Sequence, residues 1–284
     1  MDPPAWLDEL TFGRDDGPPW LSMGLSRCDH ARWLVPDEHR SRELAECRRL
    51  LGERHDEVFG ALSGTEAAGA EVLALVRDWF GQQRPDLEVE DDPVDVHPLE
   101  AAGRLTQEDL CLMMEHDGAH HLDAACLCFP SHWRLADKLG RPTRAVHGPV
   151  PGYGDELAER VDTYLRRLRP GVIGVRRNWS VHDSPALFAP VPPADPEPVV
   201  ADDVPTRLWL RSERQTLRRL TASRAVLFTI RVQQTSFASL ALRPELADAF
   251  VARLDAQPAA LTAMNGLTPH RDAVLAWLGS VSDR

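Results

Sequence analysis

The sequence predicts an α+β fold with a small, mostly antiparallel sheet. Three observations favour this class: helical periodicity dominates the first 98 residues and those after residue 242, the strand-like segments lie between them, and no repeating strand–helix–strand order occurs. The 284 residues, 43% of them hydrophobic, suffice for a buried core. We therefore expect one domain over 1–284, with a helical lead-in at 1–98, a core at 99–242 and C-terminal helices at 243–284.

The lead-in is predicted to hold two helices and a loop. Apolar residues recur at the helical period over 37–51 and 65–80, and Thr65 is a natural N-cap for the second helix. The acidic, proline-containing stretch 84–98 is typical of a loop that separates these helices from the core. After the core, helical periodicity returns at 244–254 and 270–278.

The first half of the core combines short elements. Thr106 and Asp109 have the spacing of a capping signature, which predicts a helix over 107–115. The apolar run 124–130 ends in proline and is typical of a buried strand. One or two helical turns are predicted over 133–139, before a Gly-Arg-Pro sequence.

The second half of the core carries the clearest strands. An amphipathic helix over 157–168 precedes strands at 172–181, 206–212 and 225–233, which are rich in β-branched, leucine or aromatic residues. The segment 184–205 holds so many prolines that it is predicted to be an irregular excursion.

Charge and composition exclude several classes of function. The net charge of −12 disfavours nucleic acid as a partner, because phosphate backbones are bound by basic surfaces. The longest apolar runs fall far short of a membrane span, and no charged-then-apolar leader opens the chain. We expect a cytoplasmic protein with no membrane association.

The five cysteines have no CxxC spacing, so neither a zinc knuckle nor a disulfide framework is indicated. Cys126 and Cys128 are two residues apart on a predicted strand, and we expect them to be buried as small hydrophobic side chains. Lys138 is the only lysine, and it lies in no glycine-rich loop, which disfavours Schiff-base and Walker chemistry.

His147 is the most informative histidine. It precedes Gly148-Pro149-Val150-Pro151-Gly152, which fixes the backbone and leaves little bulk beside the imidazole. That setting suits a metal ligand held in one geometry, and it equally suits a buried structural histidine.

Two further segments carry candidate polar groups. In the predicted strand Arg176-Arg177-Asn178-Trp179, Arg177 and Trp179 share one face and their neighbours share the other. Such an arginine can bind an anionic ligand, or it can face water on an edge strand. Glu213 lies in the polar string 211–219 between two predicted strands, either as a proton acceptor or as the partner of an arginine.

Taken together, several segments resemble one family, the haem-dependent oxidative N-demethylase alpha-subunit family. The matching motifs occur in family order from about residue 20 onward: Met23-Gly24-Leu25 with Trp33 and Asp37, Arg104-Leu105-Thr106-Gln107-Glu108-Asp109-Leu110-Cys111, Cys128-Phe129-Pro130-Ser131-His132-Trp133, Lys138-Leu139-Gly140-Arg141-Pro142, His147-Gly148-Pro149-Val150-Pro151-Gly152-Tyr153, Arg177-Asn178-Trp179, Glu213-Arg214-Gln215-Thr216-Leu217-Arg218-Arg219-Leu220 and Ala225-Val226-Leu227-Phe228-Thr229-Ile230-Arg231.

The resemblance implies a PAS-like antiparallel sheet that encloses one haem b and is wrapped by the N- and C-terminal helices. It implies that His147 is the axial ligand of the iron. It also implies that arginines bind the haem propionates, and the candidates are Arg141, Arg177 and Arg231.

Three more residues receive roles from the same resemblance. Trp179 would wall the substrate side, where an aromatic face favours an ammonium or iminium group. Glu213 and Gln215 would orient water or the amine proton. The long excursion 184–205 departs from the family pattern and could reshape access to the pocket.

The implied reaction uses O2 to oxidise a C–N bond of a small nitrogen-containing substrate, as in the oxidative N-dealkylation of an amine. Electrons would come from a separate flavin and iron–sulfur reductase, because this chain has neither a GxGxxG sequence nor cluster-type cysteine spacing. The glycine-flanked cysteine loop of cytochromes P450 is absent. Two alternatives remain: a different haem-dependent oxidation in specialised metabolism, and a PAS-like haem sensor without turnover.

Overall fold

A computed structural model describes residues 2–10, 12, 23–89, 95–148, 150–151 and 153–282. Over these residues the chain forms helices on both sides of one antiparallel sheet, so the α+β class is confirmed. The helices are α1 (Arg40–Glu53), α2 (His55–Val58), α3 (Glu66–Gln83), α4 (Pro98–Gly103), α5 (Thr143–Val146), α6 (Asp155–Arg167), α7 (Val204–Arg207), α8 (Ala238–Ala241), α9 (Pro244–Ala256), α10 (Ala259–Met264) and α11 (Arg271–Ser282).

Within the described ranges the sheet contains seven strands in the order β1-β5-β6-β7-β3-β4-β2, and every neighbouring pair is antiparallel. It is therefore larger than the small sheet that the sequence predicts. The strands are β1 (Ser26–Arg27), β2 (Phe59–Ala61), β3 (Glu108–His116), β4 (Ala119–Cys126), β5 (Ile173–His182), β6 (Trp209–Arg219) and β7 (Val226–Ser236).

Most predicted helices are confirmed with shifted ends, namely those at 37–51, 65–80, 157–168, 244–254 and 270–278. Over 133–139 the chain forms one 3-10 turn, Leu135–Asp137. The excursion 184–205 is irregular up to the 3-10 turn Ala201–Asp203 and the start of α7, as its prolines predict. Residues 90–94 of the predicted loop at 84–98, and Pro149 and Gly152 of the turn after His147, lie outside the described residues.

The predicted helix over 107–115 is wrong, because this segment is β3. Asp109, which resembles a capping residue in the sequence, is not a helix cap. Its carboxylate accepts hydrogen bonds from the backbone N–H groups of Cys128 and Phe129, at 2.6 and 3.1 Å. Successive side chains of β3 are buried on both faces, which hides the alternation that identifies a half-exposed strand. The signal that could have revealed the hairpin is Asp117-Gly118, where both residues adopt positive φ between β3 and β4.

Two of the three later strands were predicted too short. The placement of 211–219 between strands is wrong, because β6 continues through that whole polar string. β6 lies between β5 and β7 inside the sheet, so most of its polar side chains are buried. The predicted strand 124–130 overlaps β4 only as far as Cys126.

The register divides the sheet into two faces. Residues paired across antiparallel strands point to the same side. Arg176 pairs with Gln215, and Asn178 pairs with Glu213, so these four side chains share what we call face A. Face A packs against α6 and the chain around Leu127–Leu135, within a core cluster that also includes α1 and α2.

The opposite side, face B, carries the other half of each strand. Arg177 pairs with Arg214, which pairs with Arg231, and Trp179 lies on the same side. Face B packs against α3 and α4 at one end and against α9 and α11 at the other. Within the described part of the chain, no helix is both long and apolar enough to span a membrane.

Candidate functional site

His147 directly follows the single turn of α5. Its Nδ1 lies 2.9 Å from the carbonyl oxygen of Thr143, which can only accept, so Nδ1 carries the proton and donates. The lone pair of the neutral ring is then on Nε2, the atom available to a metal. The ring stacks on Tyr153 with 4.8 Å between centroids and 18° between planes.

The surroundings of His147 favour its neutral form. Burial lowers the pKa of this imidazole, and the positive charges of Lys138 and Arg176 lower it further, although the Thr143 carbonyl opposes them. A neutral imidazole is the form that binds iron in haem proteins. The local electrostatics therefore prepare this side chain for ligation near neutral pH.

The hydroxyl of Tyr153 is a buried polar atom without a hydrogen-bond partner among the described residues. Burial raises its pKa to about 12, so it remains a neutral donor. An unsatisfied buried hydroxyl costs free energy unless something pairs with it. A polar group of a ligand bound beside the His147 ring would satisfy this hydroxyl.

A row of polar side chains on face A lies next to His147 and Tyr153. Glu213 Oε2 accepts a hydrogen bond of 3.1 Å from Asn178 Nδ2 and one of 2.8 Å from Gln215 Nε2. Arg176 lies one pair further along and donates to the carbonyl oxygen of Met23 at 3.3 Å. Glu213 is thus held in one orientation by two amides, with a cation beside it.

Lys138 supplies a second cation to the same region. Burial lowers the pKa of its ammonium group, while the negative charge of Glu213 opposes that shift. Its Nζ lies 4.3 Å from the ring centroid of Trp133, a cation–π contact. No role was predicted from the sequence for Lys138, Arg176 or Tyr153. The motif around Lys138 and the alternation along β5 were signals that could have indicated the first two.

The structure brings together some of the predicted site residues and not others. His147, Glu213 and Gln215 belong to the face A side of the sheet. Arg141 is exposed, and its backbone carbonyl accepts the N–H of Leu122. The remaining three lie on face B, across the sheet from His147: Arg177, Trp179 and Arg231.

Each of the face B residues already has close partners. The Arg231 guanidinium lies 2.6 Å from Asp37 and 2.9 Å from Glu43 and is fully buried. Arg177 lies 2.8 Å from Glu9. Trp179 packs edge-on against the rings of Phe12 and Phe250, at centroid distances of 5.7 and 5.0 Å. These contacts join the sheet to the N- and C-terminal segments.

A cavity of about 330 Å³ lies at the other end of face A, under the excursion. His132 and His182 line it and stack at 4.4 Å, and burial lowers the pKa of His182 to about 2. His182 lies six positions beyond Arg176 on β5, which is about 20 Å along a strand. His147 does not line this cavity, so the two regions are distinct.

The residues around His147 fit a haem by their chemistry. A neutral imidazole with a fixed Nδ1–H offers Nε2 to iron, and the two nearby cations, Arg176 and Lys138, suit propionate carboxylates. The orphaned Tyr153 hydroxyl adds a donor. Fold and site together define an α+β protein with a histidine prepared for metal ligation beside a polar sheet face.

The comparison with known families agrees with this description. A sequence model described as haem-dependent oxidative N-demethylase, alpha subunit-like, matches residues 24–275, which is most of the 284 residues. The chain therefore belongs to the haem-dependent oxidative N-demethylase alpha-subunit-like family, and the predicted resemblance is confirmed. The family description indicates haem dependence and oxidative demethylation, and the words alpha subunit indicate a partner subunit.

Proposed function

We propose that this protein is a haem b dependent oxidoreductase that uses O2 and externally supplied electrons to oxidise a C–N bond of a small amine. The observation that carries the proposal is the setting of His147, whose Nδ1 donates to Thr143 and whose Nε2 is left for iron, beside cationic side chains on face A. Family membership supports the same chemistry.

His147 would bind the iron, and Arg176 and Lys138 would pair with the propionates. Arg141, on the neighbouring exposed loop, remains a candidate at the rim. The propionate roles of Arg177 and Arg231 remain predictions, and their pairing with Glu9, Asp37 and Glu43 across the sheet does not favour them. We propose that face A, α6 and the chain from 127 to 148 form the PAS-like enclosure of one haem-binding domain over 1–284.

Haem, when bound, supplies the activation of O2 and the one-electron chemistry that the protein's own side chains lack. The net reaction of a secondary methylamine, O2, two electrons and two protons gives the primary amine, formaldehyde and water. Glu213 is suited to bind the cationic amine and to accept its proton, because two amide donors fix the carboxylate. Gln215 positions Glu213 through one of these hydrogen bonds. The role of Trp179 as a substrate wall remains a prediction, since this ring lies on face B.

Electrons are proposed to come from a separate flavin and iron–sulfur reductase in the cytoplasm. The alpha-subunit description of the family supports a protein partner. Among the described residues, one group of three or more metal-ligating side chains lies close together, and it contains only three cysteines, Cys47, Cys126 and Cys128. That is fewer thiolates than the four that an iron–sulfur cluster usually takes.

The direct test is turnover. Haem-loaded protein, supplied with dithionite or a surrogate reductase and with O2, should release formaldehyde from at least one member of a panel of methylated amines, and release should stop without O2. If no amine yields formaldehyde while the protein still binds O2 reversibly, a haem sensor would replace the enzyme. Oxidised products without formaldehyde would instead favour a different haem-dependent oxidation.

Neighbouring arginines on β5 provide a matched pair of variants. We expect Arg176→Gln to weaken haem binding by about 10-fold, because it removes a cation beside the propionates, and Arg177→Gln to leave haem affinity unchanged, because that side chain lies on face B. Haem titration followed by Soret absorbance measures both. Equal losses in the two variants, or a loss confined to Arg177→Gln, would contradict the assignment of the propionates to face A.

A further inference from the structure

Three buried cysteines form a cluster that the proposed haem chemistry does not use. Cys47 comes from α1, Cys126 ends β4 and Cys128 follows two residues later. Their sulfur atoms all lie within 4.8 Å of one another, and none of the three residues is more than 4% exposed. We call this group the cysteine triad. Gly103 packs directly against it, since a Cβ there would overlap the sulfur of Cys126.

The spacing within the triad is unlike that of a metal site. The sulfur atoms of Cys47 and Cys128 are 2.8 Å apart. Two thiolates bound to one metal at about 2.3 Å with tetrahedral angles stand about 3.8 Å apart. The group also contains no histidine or carboxylate as a further ligand within the described part of the chain. The short contact instead places two thiols almost at bonding distance.

The members of the triad have different environments. Side-chain hydrogen bonding with Cys126 and Cys128 lowers the pKa of the Cys47 thiol, and the nearby positive charges of Arg104 and Arg48 lower it further, even though burial opposes this. Hydrogen bonding to the two other cysteines and burial raise the pKa of Cys128. One residue is therefore suited to be the nucleophilic thiolate, and the adjacent one to be the thiol that attacks it after oxidation.

We propose that Cys47 is a site of oxidation by hydroperoxides and that Cys128 resolves it as an intramolecular disulfide. The Cys47 thiolate attacks one oxygen of the hydroperoxide, which breaks the O–O bond, gives a sulfenic acid and releases an alcohol or water after protonation. The Cys128 sulfur then displaces the hydroxyl group as water. Two thiols lose two electrons in all, and the hydroperoxide gains them.

The bond would connect the lead-in to the core. It would join α1 to the segment after β4 and close a loop spanning 81 positions. That segment is held on face A by Arg211, which donates to the carbonyl oxygens of Phe129 and Pro130. Because Cys47 is buried, oxidation should be slow and should proceed through local opening of α1. Once formed, the cross-link restricts the unfolded chain and should raise the thermal midpoint.

The test counts thiols in the purified full-length chain. Fully reduced protein should show five thiols after unfolding, and protein treated with hydrogen peroxide should show three and a mass lower by about 2 Da. Non-reducing peptide mapping should identify a Cys47–Cys128 link. Cys128→Ser should lose only one thiol and gain about 16 Da, because the sulfenic acid of Cys47 has lost its resolving partner. Cys47→Ser should abolish the loss of thiols. Cys111→Ser should not, because Cys111 is a buried cysteine outside the triad whose pKa is raised by burial.

Several results would overturn the proposal. One is a count that stays at five after prolonged exposure to peroxide, and another is a disulfide that maps to Cys28 or Cys111. Zinc or copper that co-purifies at one equivalent and is lost in Cys47→Ser would show a metal site instead. If a serine variant does not fold, peptide mapping of the wild-type chain still decides, since it identifies the linked residues directly. None of these readouts depends on haem or amine turnover.

Discussion

His147→Ala is expected to abolish haem binding by the folded protein. Iron loses its axial ligand, and no second imidazole of the same geometry lies beside the Tyr153 ring. Even partners of metal ligands cost 10- to 100-fold in affinity when removed, so loss of the ligand itself should exceed about 100-fold. The measurement is a titration of purified protein with haem, followed at the Soret band, together with a circular dichroism spectrum to confirm the fold.

Two histidines at the far end of face A provide the control. His132→Ala and His182→Ala alter the cavity under the excursion, which His147 does not line. We expect both variants to bind haem as the wild type does. The opposite pattern, with full binding by His147→Ala and loss in His132→Ala, would move the cofactor to that cavity and reject the proposed site. Addition of imidazole should restore part of the Soret band to His147→Ala only.

Arg231→Met is expected to cause the largest loss of stability. The fully buried guanidinium lies against Asp37 and Glu43, and its removal leaves the buried Glu43 carboxylate and the partly buried Asp37 carboxylate without this cation. Breaking a buried ion pair in this way costs about 3–5 kcal/mol of unfolding free energy. Chemical denaturation measures the loss. The control is Arg49→Met, which breaks exposed pairs on the surface of α1 and should have little effect.

The loss of unfolding free energy in Arg231→Met should become smaller as the pH falls. Burial alone would raise the pKa of Asp37, but Arg231 and the amide of Gln107 hold it below its ordinary value. A depressed carboxyl pKa contributes stability above the pKa of the unfolded chain, and this is lost as pH falls through the folded value. Without Arg231 the pKa rises, and burial already raises the pKa of Glu43. The loss of unfolding free energy in Arg231→Met should therefore be largest at neutral pH and should become smaller below about pH 5.

The same variant also tests whether Arg231 contributes to haem binding. Under conditions in which Arg231→Met is folded, we expect it to bind haem with wild-type affinity, since Arg231 lies on face B. A marked loss of haem affinity in the folded variant would restore its predicted role at a propionate. A loss of unfolding free energy that is equally large at pH 7 and at about pH 4 would contradict the buried-carboxylate explanation. Asp37→Asn combined with Arg231→Met should recover part of the lost stability.

Local patterns predicted much of the fold and misassigned one central element. The amphipathic period of α6 and the β-branched runs of β5 and β7 are local signals, and they were interpreted correctly. The β3 segment was not, because burial on both faces removes its alternation and because Thr106 and Asp109 imitate a helix cap. The pairing of β3 with β4 is a local hairpin, but its pairing with β7 joins segments that are far apart in the sequence, and these contacts together decide its conformation.

The sequence by itself determined the α+β class and the family. It also indicated His147, Glu213 and Gln215 as candidate site residues. The tertiary structure alone decided which side of the sheet each strand residue occupies relative to His147. Alternation shows that Arg176 and Arg177 point in opposite directions, but it does not show which direction faces the histidine. That depends on which helices cover each face, a consequence of packing between segments far apart in the chain.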